Sequence, residues 1–145
     1  MDLPQAVTSL LSGLPAHGQA EQAFPFLTVD EAGFPHVCLL SRAQVEPHQA
    51  GLLALVGSRR TRANLLRAGA ATLIAVTPTA AHYCKLLMTR SIEEPWALAA
   101  AFDLVEHKVD PSPVPLTPLT YVPNAEVEAA EQWERGVAML LVLLS

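Results

Sequence analysis

The sequence predicts a mainly β protein: an antiparallel barrel with a short helix after the third strand and a helix near each end. Three observations carry that expectation. Six apolar segments of strand length follow one another, mostly joined by short turn-like stretches, which suits an antiparallel sheet better than a parallel one. A short run of helix-forming residues interrupts them once, at Arg62–Arg67. Apolar residues also recur at helical spacing close to both ends.

The elements follow in order. Leu3, Val7, Leu10, Leu11 and Leu14 mark an amphipathic helix, with Asp2 as its cap and Gly13 near its stop. Ala23–Val29 reads as a strand, Asp30-Glu31-Ala32-Gly33 as a hairpin turn, and Phe34–Arg42 as the returning strand. Residues 43–50 form a polar connection to a third strand, Gly51–Val56. The short helix over Arg62–Arg67 then stops at Gly69. Ala71–Thr77 and His82–Ile92 are strands flanking the turn at Pro78. Trp96–Val109 fits two templates: Ala99-Ala100-Ala101 suits a helix, whereas the alternation of FDLVEHKV suits a strand, expected from about Leu98 onwards. Five prolines between Pro111 and Pro123 exclude a helix or a central strand and predict an extended wall or edge. Asn124 caps a terminal helix to Leu144, with Glu126 and Glu128 in its first turn and a stripe of Val127, Ala130, Trp133, Val137, Leu140, Leu141 and Leu144.

With 145 residues, no internal repeat and no linker, the chain is expected to be one domain. Its two cysteines, Cys38 and Cys84, form no CxxC pair, which fits a reducing compartment. The first basic residue is Arg42, so no charged export leader is read. The apolar run Val137–Leu144 is far shorter than the ~20 residues of a membrane span. A soluble, cytoplasmic protein without a membrane partner is expected.

The net charge of −5 is unevenly spread. Residues 32–92 hold seven basic side chains and one acid, Glu46, which makes that stretch +6 and leaves −11 for the rest. Positive charge concentrated within an acidic chain points to a small anionic ligand and away from nucleic acid, as does the 6% aromatic content. The densest cationic stretch is Ser58-Arg59-Arg60-Thr61-Arg62, just where the short helix begins. A helix amino terminus offers unpaired N–H groups and partial positive charge, and arginine adds paired donors matched to phosphate oxygens. The alternative reading is a solvated basic turn in which Thr61 merely caps the helix.

The element order, together with Gly33-Phe34-Pro35-His36-Val37 and Gly57-Ser58-Arg59-Arg60-Thr61-Arg62-Ala63-Asn64-Leu65, resembles the pyridoxamine-5′-phosphate-oxidase-like family of split-barrel flavoproteins. The likeness covers roughly Phe24–Ile92 and extends to the remainder only in layout. It implies a homodimer that binds FMN at the subunit interface, with the phosphate gripped from two places. One falls on Ser58, Arg59 and Arg60, with Thr61 and Arg62 as near alternatives. The other is the strand after the Gly-x-Pro turn; here Cys38 or Leu39 stands where the family often has a basic residue, leaving Arg42 at the strand end. The flavin ring is expected against the backbone of Val37, Cys38, Leu39 and Leu40, and of Leu53–Val56. The resemblance thus implies a flavin-dependent oxidoreductase acting on a small-molecule substrate. The alternative is a non-catalytic flavin-binding or phosphorylated-ligand sensor module on the same barrel. The name-giving oxidase activity is not implied, and no catalytic acid or base is singled out.

Other constellations carry less. His36-x-Cys38 and His82-x-Cys84 would each place two metal ligands on one strand face, but neither has the CxxC or HxxxH spacing of zinc sites, and no metal is expected. There is no GxSxG nucleophile motif. Asp30-Glu31, Glu93-Glu94 and His107-Lys108 read as surface groups beside turns or strand ends.

Overall fold

The computed structural model describes residues 1–144. It contains helices α1 (Gln5–Leu11), α2 (Arg59–Ala68), α3 (Ala125–Glu131) and α4 (Trp133–Leu144). Its strands are β1 (Glu21–Gln22), β2 (Phe24–Val29), β3 (Pro35–Leu40), β4 (Val45–His48), β5 (Gly51–Val56), β6 (Ala70–Thr77), β7 (Ala80–Glu94), β8 (Ala97–Pro111) and β9 (Thr120–Tyr121). Seven strands form one antiparallel sheet in the order β3-β2-β6-β7-β8-β5-β4. The sheet curls about a core that includes Phe24, Phe26, Leu52, Leu65, Leu73, Leu86, Leu98 and Phe102, and α1 adds Val7 and Leu11. This is the mainly β, split-barrel architecture expected from the sequence.

The β2–β3 hairpin forms where the turn residues place it. Asp30 accepts from the Phe34 N–H at 2.9 Å, and Gly33 takes a φ of +89° that other residues resist. β4 lies inside the segment expected to be a connection. Its sequence, Val-Glu-Pro-His, lacks apolar alternation because it is an edge strand, and an edge tolerates Pro47. The second small strand pair, β1 with β9, was also illegible, being only two residues long on each side. It pins the proline-rich stretch, otherwise irregular, against the start of the barrel, while Gln22 extends the contact by bonding both the N–H and C=O of Val76.

The alanine-rich stretch is strand, from Ala97 on. Both faces of β5 and β8 are covered, one by the barrel core and the other by α4 through Leu53, Leu55, Ala97, Ala99, Ala101, Leu140 and Leu143. Small residues on β8 leave room for that second layer, so pairing with β5 and β7 overrides the helix propensity of alanine. The expected single terminal helix is in fact two. Asn124 caps α3 as anticipated, accepting from Val127 N–H at 2.9 Å, but Gln132 adopts a left-handed conformation (φ +51°) and breaks the helix. The break turns Trp133 into the interior, where its indole donates to Glu131 at 2.8 Å. Val127 and Ala130, read as part of one stripe, therefore lie outside the core.

Candidate functional site

The cationic segment begins α2 earlier than the sequence suggested. Ser58, rather than Thr61, is the cap: its hydroxyl accepts from the Thr61 N–H at 3.3 Å. Gly69 ends the helix in the left-handed region (φ +67°), its N–H donating to Leu65 C=O at 2.8 Å. Arg59 and Arg60 are thus the first two residues of the helix and Thr61 the third. The first turn contains no acidic residue. Cations there oppose the positive end of the helix dipole, a placement that lowers stability unless an anion joins them.

The four side chains after the cap diverge. Arg59 and Arg60 reach solvent and make no hydrogen bond or ion pair among the described residues. Thr61 is 0% exposed; its hydroxyl lies against the Cys38 thiol without a well-formed hydrogen bond. Arg62 leans across to the β7–β8 turn, donating to the carbonyls of Glu94 and Pro95 at 3.4 and 3.3 Å, while its buried Nε has no partner. Arg59, Arg62, Ala63, Leu66, Glu93 and Pro95 line a cleft of about 350 Å³ between helix and turn.

A polar seam holds α2 on the sheet. Asn64 donates to Thr28 at 3.0 Å in a buried contact, and Arg67 bonds both Asn64, at 3.1 Å, and the Val29 carbonyl. The Asn-Leu pair read as part of the motif is therefore the helix's anchor, with Leu65 in the core beside Asn64.

Strand alternation divides the residues expected near a flavin ring. Val37 and Leu39 are 50% and 52% exposed on the outer face of β3, while Cys38 points inward, its thiol pushed above the usual range by burial, partly offset by Thr61. The Val56 side chain is fully buried in the core. Arg42 is not on β3 but in a 3₁₀ turn, Arg42–Gln44, which Ser41 and Gln44 close as a capping box. Its guanidinium pairs with both oxygens of Glu21, at 2.8 and 3.0 Å, and donates to Ser12 C=O at 2.9 Å, so its charge is already matched.

The sequence reading did not single out an apolar cleft of about 400 Å³ on the outer sheet face. Leu27, Val29, Pro35, Thr72, Leu87 and Val105 are among its lining residues, and Lys85 stands at its side. The available signal was apolar residues at both parities of the strands around Leu27 and Leu87, which a one-sided barrel wall does not require. The two His-x-Cys pairs lie on β3 and β7, separated in the sheet by β2 and β6. Among the described residues no three His, Cys, Asp or Glu side chains gather as a metal site.

No family model and no curated protein matches the chain by sequence. Solved structures do match by shape. One is an F420 reductase, at TM-score 0.55 and 13% identity over 73% of this chain and 98% of that one. Another is HutZ, the heme storage protein from Vibrio cholerae, at TM-score 0.53 and 11% identity over 76% and 96%. A third is the styrene monooxygenase flavin reductase from Pseudomonas putida S12, at TM-score 0.50 and 10% identity over 67% and 94%. At such identities the shared property is the fold. The chain has the split-barrel, pyridoxamine-phosphate-oxidase-like fold.

Proposed function

We propose that the protein is a single-domain, cytoplasmic FMN-binding oxidoreductase that acts as a homodimer on a small-molecule substrate. The observation that carries this reading is the unpartnered pair Arg59 and Arg60 in the first turn of a Ser-capped helix without acids. Charge-assisted bonds to a phosphate would offset the unfavourable placement of both cations. The names of two structural neighbours, an F420 reductase and a flavin reductase, supply the chemical direction.

The residues present fit a flavin phosphate. Arg59, Arg60 and the amide groups after Ser58 would hold it, and the orphaned Arg62 Nε leaves the same turn short of a polar partner. Arg62 would keep α2 against the β7–β8 turn. Backbone of β3 and β5 would orient the ring, and Arg42, balanced by Glu21, would lend little net charge. When bound, FMN would supply the hydride or electron transfer itself.

The dimer reading rests on the outer sheet face. Exposed Val29, Leu87 and Val105 line its cleft, and exposed Val37 and Leu39 continue the same face on β3, more apolar surface in one place than scattered exposure explains. A second copy would cover it and shield the ligand from water.

Two features favour a second reading, a non-catalytic holder of flavin or another phosphorylated or anionic ligand. Where a second phosphate grip is expected, β3 carries Val37, Cys38 and Leu39 and no cation, and one neighbour is a heme storage protein.

The first experiment is a visible absorption spectrum of the purified protein, before and after adding FMN and removing the excess. Flavin bands that persist, and that vanish in the Arg59→Ala/Arg60→Ala protein, support the FMN site. A colourless protein that takes up neither FMN nor a deazaflavin sinks it. Reduction of bound flavin by NADH or NADPH, followed by turnover with an acceptor, distinguishes the oxidoreductase from the holder.

A further inference from the structure

One pair of titratable side chains has no part in the flavin reading. His82 on β7 and His107 on β8 lie toward the far end of the longest ribbon in the molecule, on the face turned to the barrel interior. His82 Nδ1 stands 2.9 Å from His107 Nε2, and the rings are nearly parallel, 9° apart with centroids at 5.2 Å. His82 is only 7% exposed.

Two ring nitrogens at this distance share one hydrogen: one donates and the other offers its lone pair. A neutral pair satisfies that requirement, and so does a pair carrying one extra proton. A pair carrying two cannot, because both facing nitrogens then bear hydrogen and two cations touch where little water can separate them.

The surroundings offer no relief for a second charge. On the same face, Cys84 lies opposite His107, and its thiol is neutral, pushed up to about 11 by burial. Ala75 is the β6 neighbour of His82. Tyr83, Lys85, Glu106, Lys108 and Asp110 alternate onto the outer face, where Lys85 pairs with Glu106 at 2.6 Å and the Tyr83 hydroxyl reaches Asp110 at 3.5 Å. α1 gives the interior Leu3, Val7, Leu10 and Leu11, and residues 111–120 contain no ionisable side chain.

We propose that the His82–His107 pair is an acid-sensitive clasp, closed while at most one ring carries an extra proton and opened by the second. Burial, and then the charge on His107, lower the His82 pKa. The sign follows. Above the ordinary histidine value of about 6.5 neither the closed nor the opened ribbon binds the second proton, and the clasp is at full strength. As pH falls from there through the lowered value, the opened ribbon takes up a proton that the closed one refuses, and stability is lost.

The test is an NMR titration of the imidazole resonances of the full chain without added flavin, with amide hydrogen exchange along β7 and β8. The expected result is coupled titration, with both rings responding to each protonation step and His82 completing its own at low pH. Exchange at Tyr83 and Lys108, whose amides face the partner strand of the ribbon, corrected for its intrinsic pH dependence, should rise by about tenfold per pH unit across the acid limb, as linkage to one proton requires. His107→Gln keeps an acceptor for a protonated His82, so His82 should titrate higher and the acid-dependent exchange should flatten. Two rings titrating independently near the ordinary value, with flat exchange, would overturn the clasp. If the variant does not fold, the wild-type titration decides alone. Failure here would leave the flavin reading untouched, since no flavin takes part.

Discussion

Replacing Arg59 and Arg60 together with alanine should make the unliganded protein more stable and the liganded protein less so. Both cations lie in the first turn of α2, which has no acidic residue, and neither has a partner among the described residues. A like charge at a helix terminus costs about 0.3–1 kcal/mol at low ionic strength. Removing two should therefore stabilise the apoprotein by about 1 kcal/mol. For a domain of this size that is a Tm rise of about 2–4 °C. The Ser58 cap and the Asn64–Thr28 contact stay intact, so no lost packing should mask the gain. In the presence of FMN the sign reverses, because each charge-assisted bond to phosphate is worth about 1.5–3 kcal/mol. The variant should lose at least about tenfold in affinity per arginine. The assay is thermal unfolding at low salt with and without FMN, repeated at about 1 M salt, where a screening length near 3 Å should shrink the apoprotein difference. An apo variant that melts lower, or an FMN-induced shift that both proteins share equally, would refute the argument that these arginines await an anion.

Three further outcomes can be checked separately. A Cβ on Gly51 would lie 1.8 Å from the Phe102 carbonyl oxygen, so Gly51→Ala should cost about 3 kcal/mol or more in a urea titration, by forcing β5 from β8. Cys84 is completely buried with its thiol pushed up to about 11, so at pH 8–9 the native protein should label at this position roughly a hundredfold more slowly than a free thiol. The raised value also means that its contribution to stability, full below the ordinary thiol pKa near 9.0, fades as pH rises towards 11, which unfolding curves of wild type and Cys84→Ala would compare. Leu87→Glu places a charge beside the outer apolar cleft; sedimentation should show a monomer at micromolar concentration with the fold retained, whereas an unchanged dimer would move the interface elsewhere.

Much of this protein is legible along the chain because short-range physics decided it. The β2–β3 hairpin follows from Asp30 and Gly33, whose side chain and backbone freedom close the turn without help from afar. The bounds of β5 and the stop of α2 at Gly69 are equally local. So is the concentration of arginine after Ser58, which names an anion as the ligand to look for. Elements whose formation depends on a neighbour were not legible. β4 is a strand only because β5 offers it a ladder, and nothing in Val-Glu-Pro-His announces this. The alanine run from 99 to 101 is a strand because two layers cover it at once. The terminal helix breaks at Gln132, and Trp133 turns inward with its ring against that of His17, a residue far away along the chain.

The same division runs through the candidate site. Sequence supplied Ser58, Arg59 and Arg60 as candidates for holding a phosphate, with Thr61 and Arg62 as near alternatives. Tertiary structure separated them: Ser58 caps, Thr61 is buried against Cys38, Arg62 braces the β7–β8 turn, and Arg59 and Arg60 remain without partners. It also showed that Arg42 is matched by Glu21, a residue 21 positions away. Charge and turn chemistry are properties of adjacent residues and survive in a sequence; which charges are already neutralised depends on what the fold brings beside them.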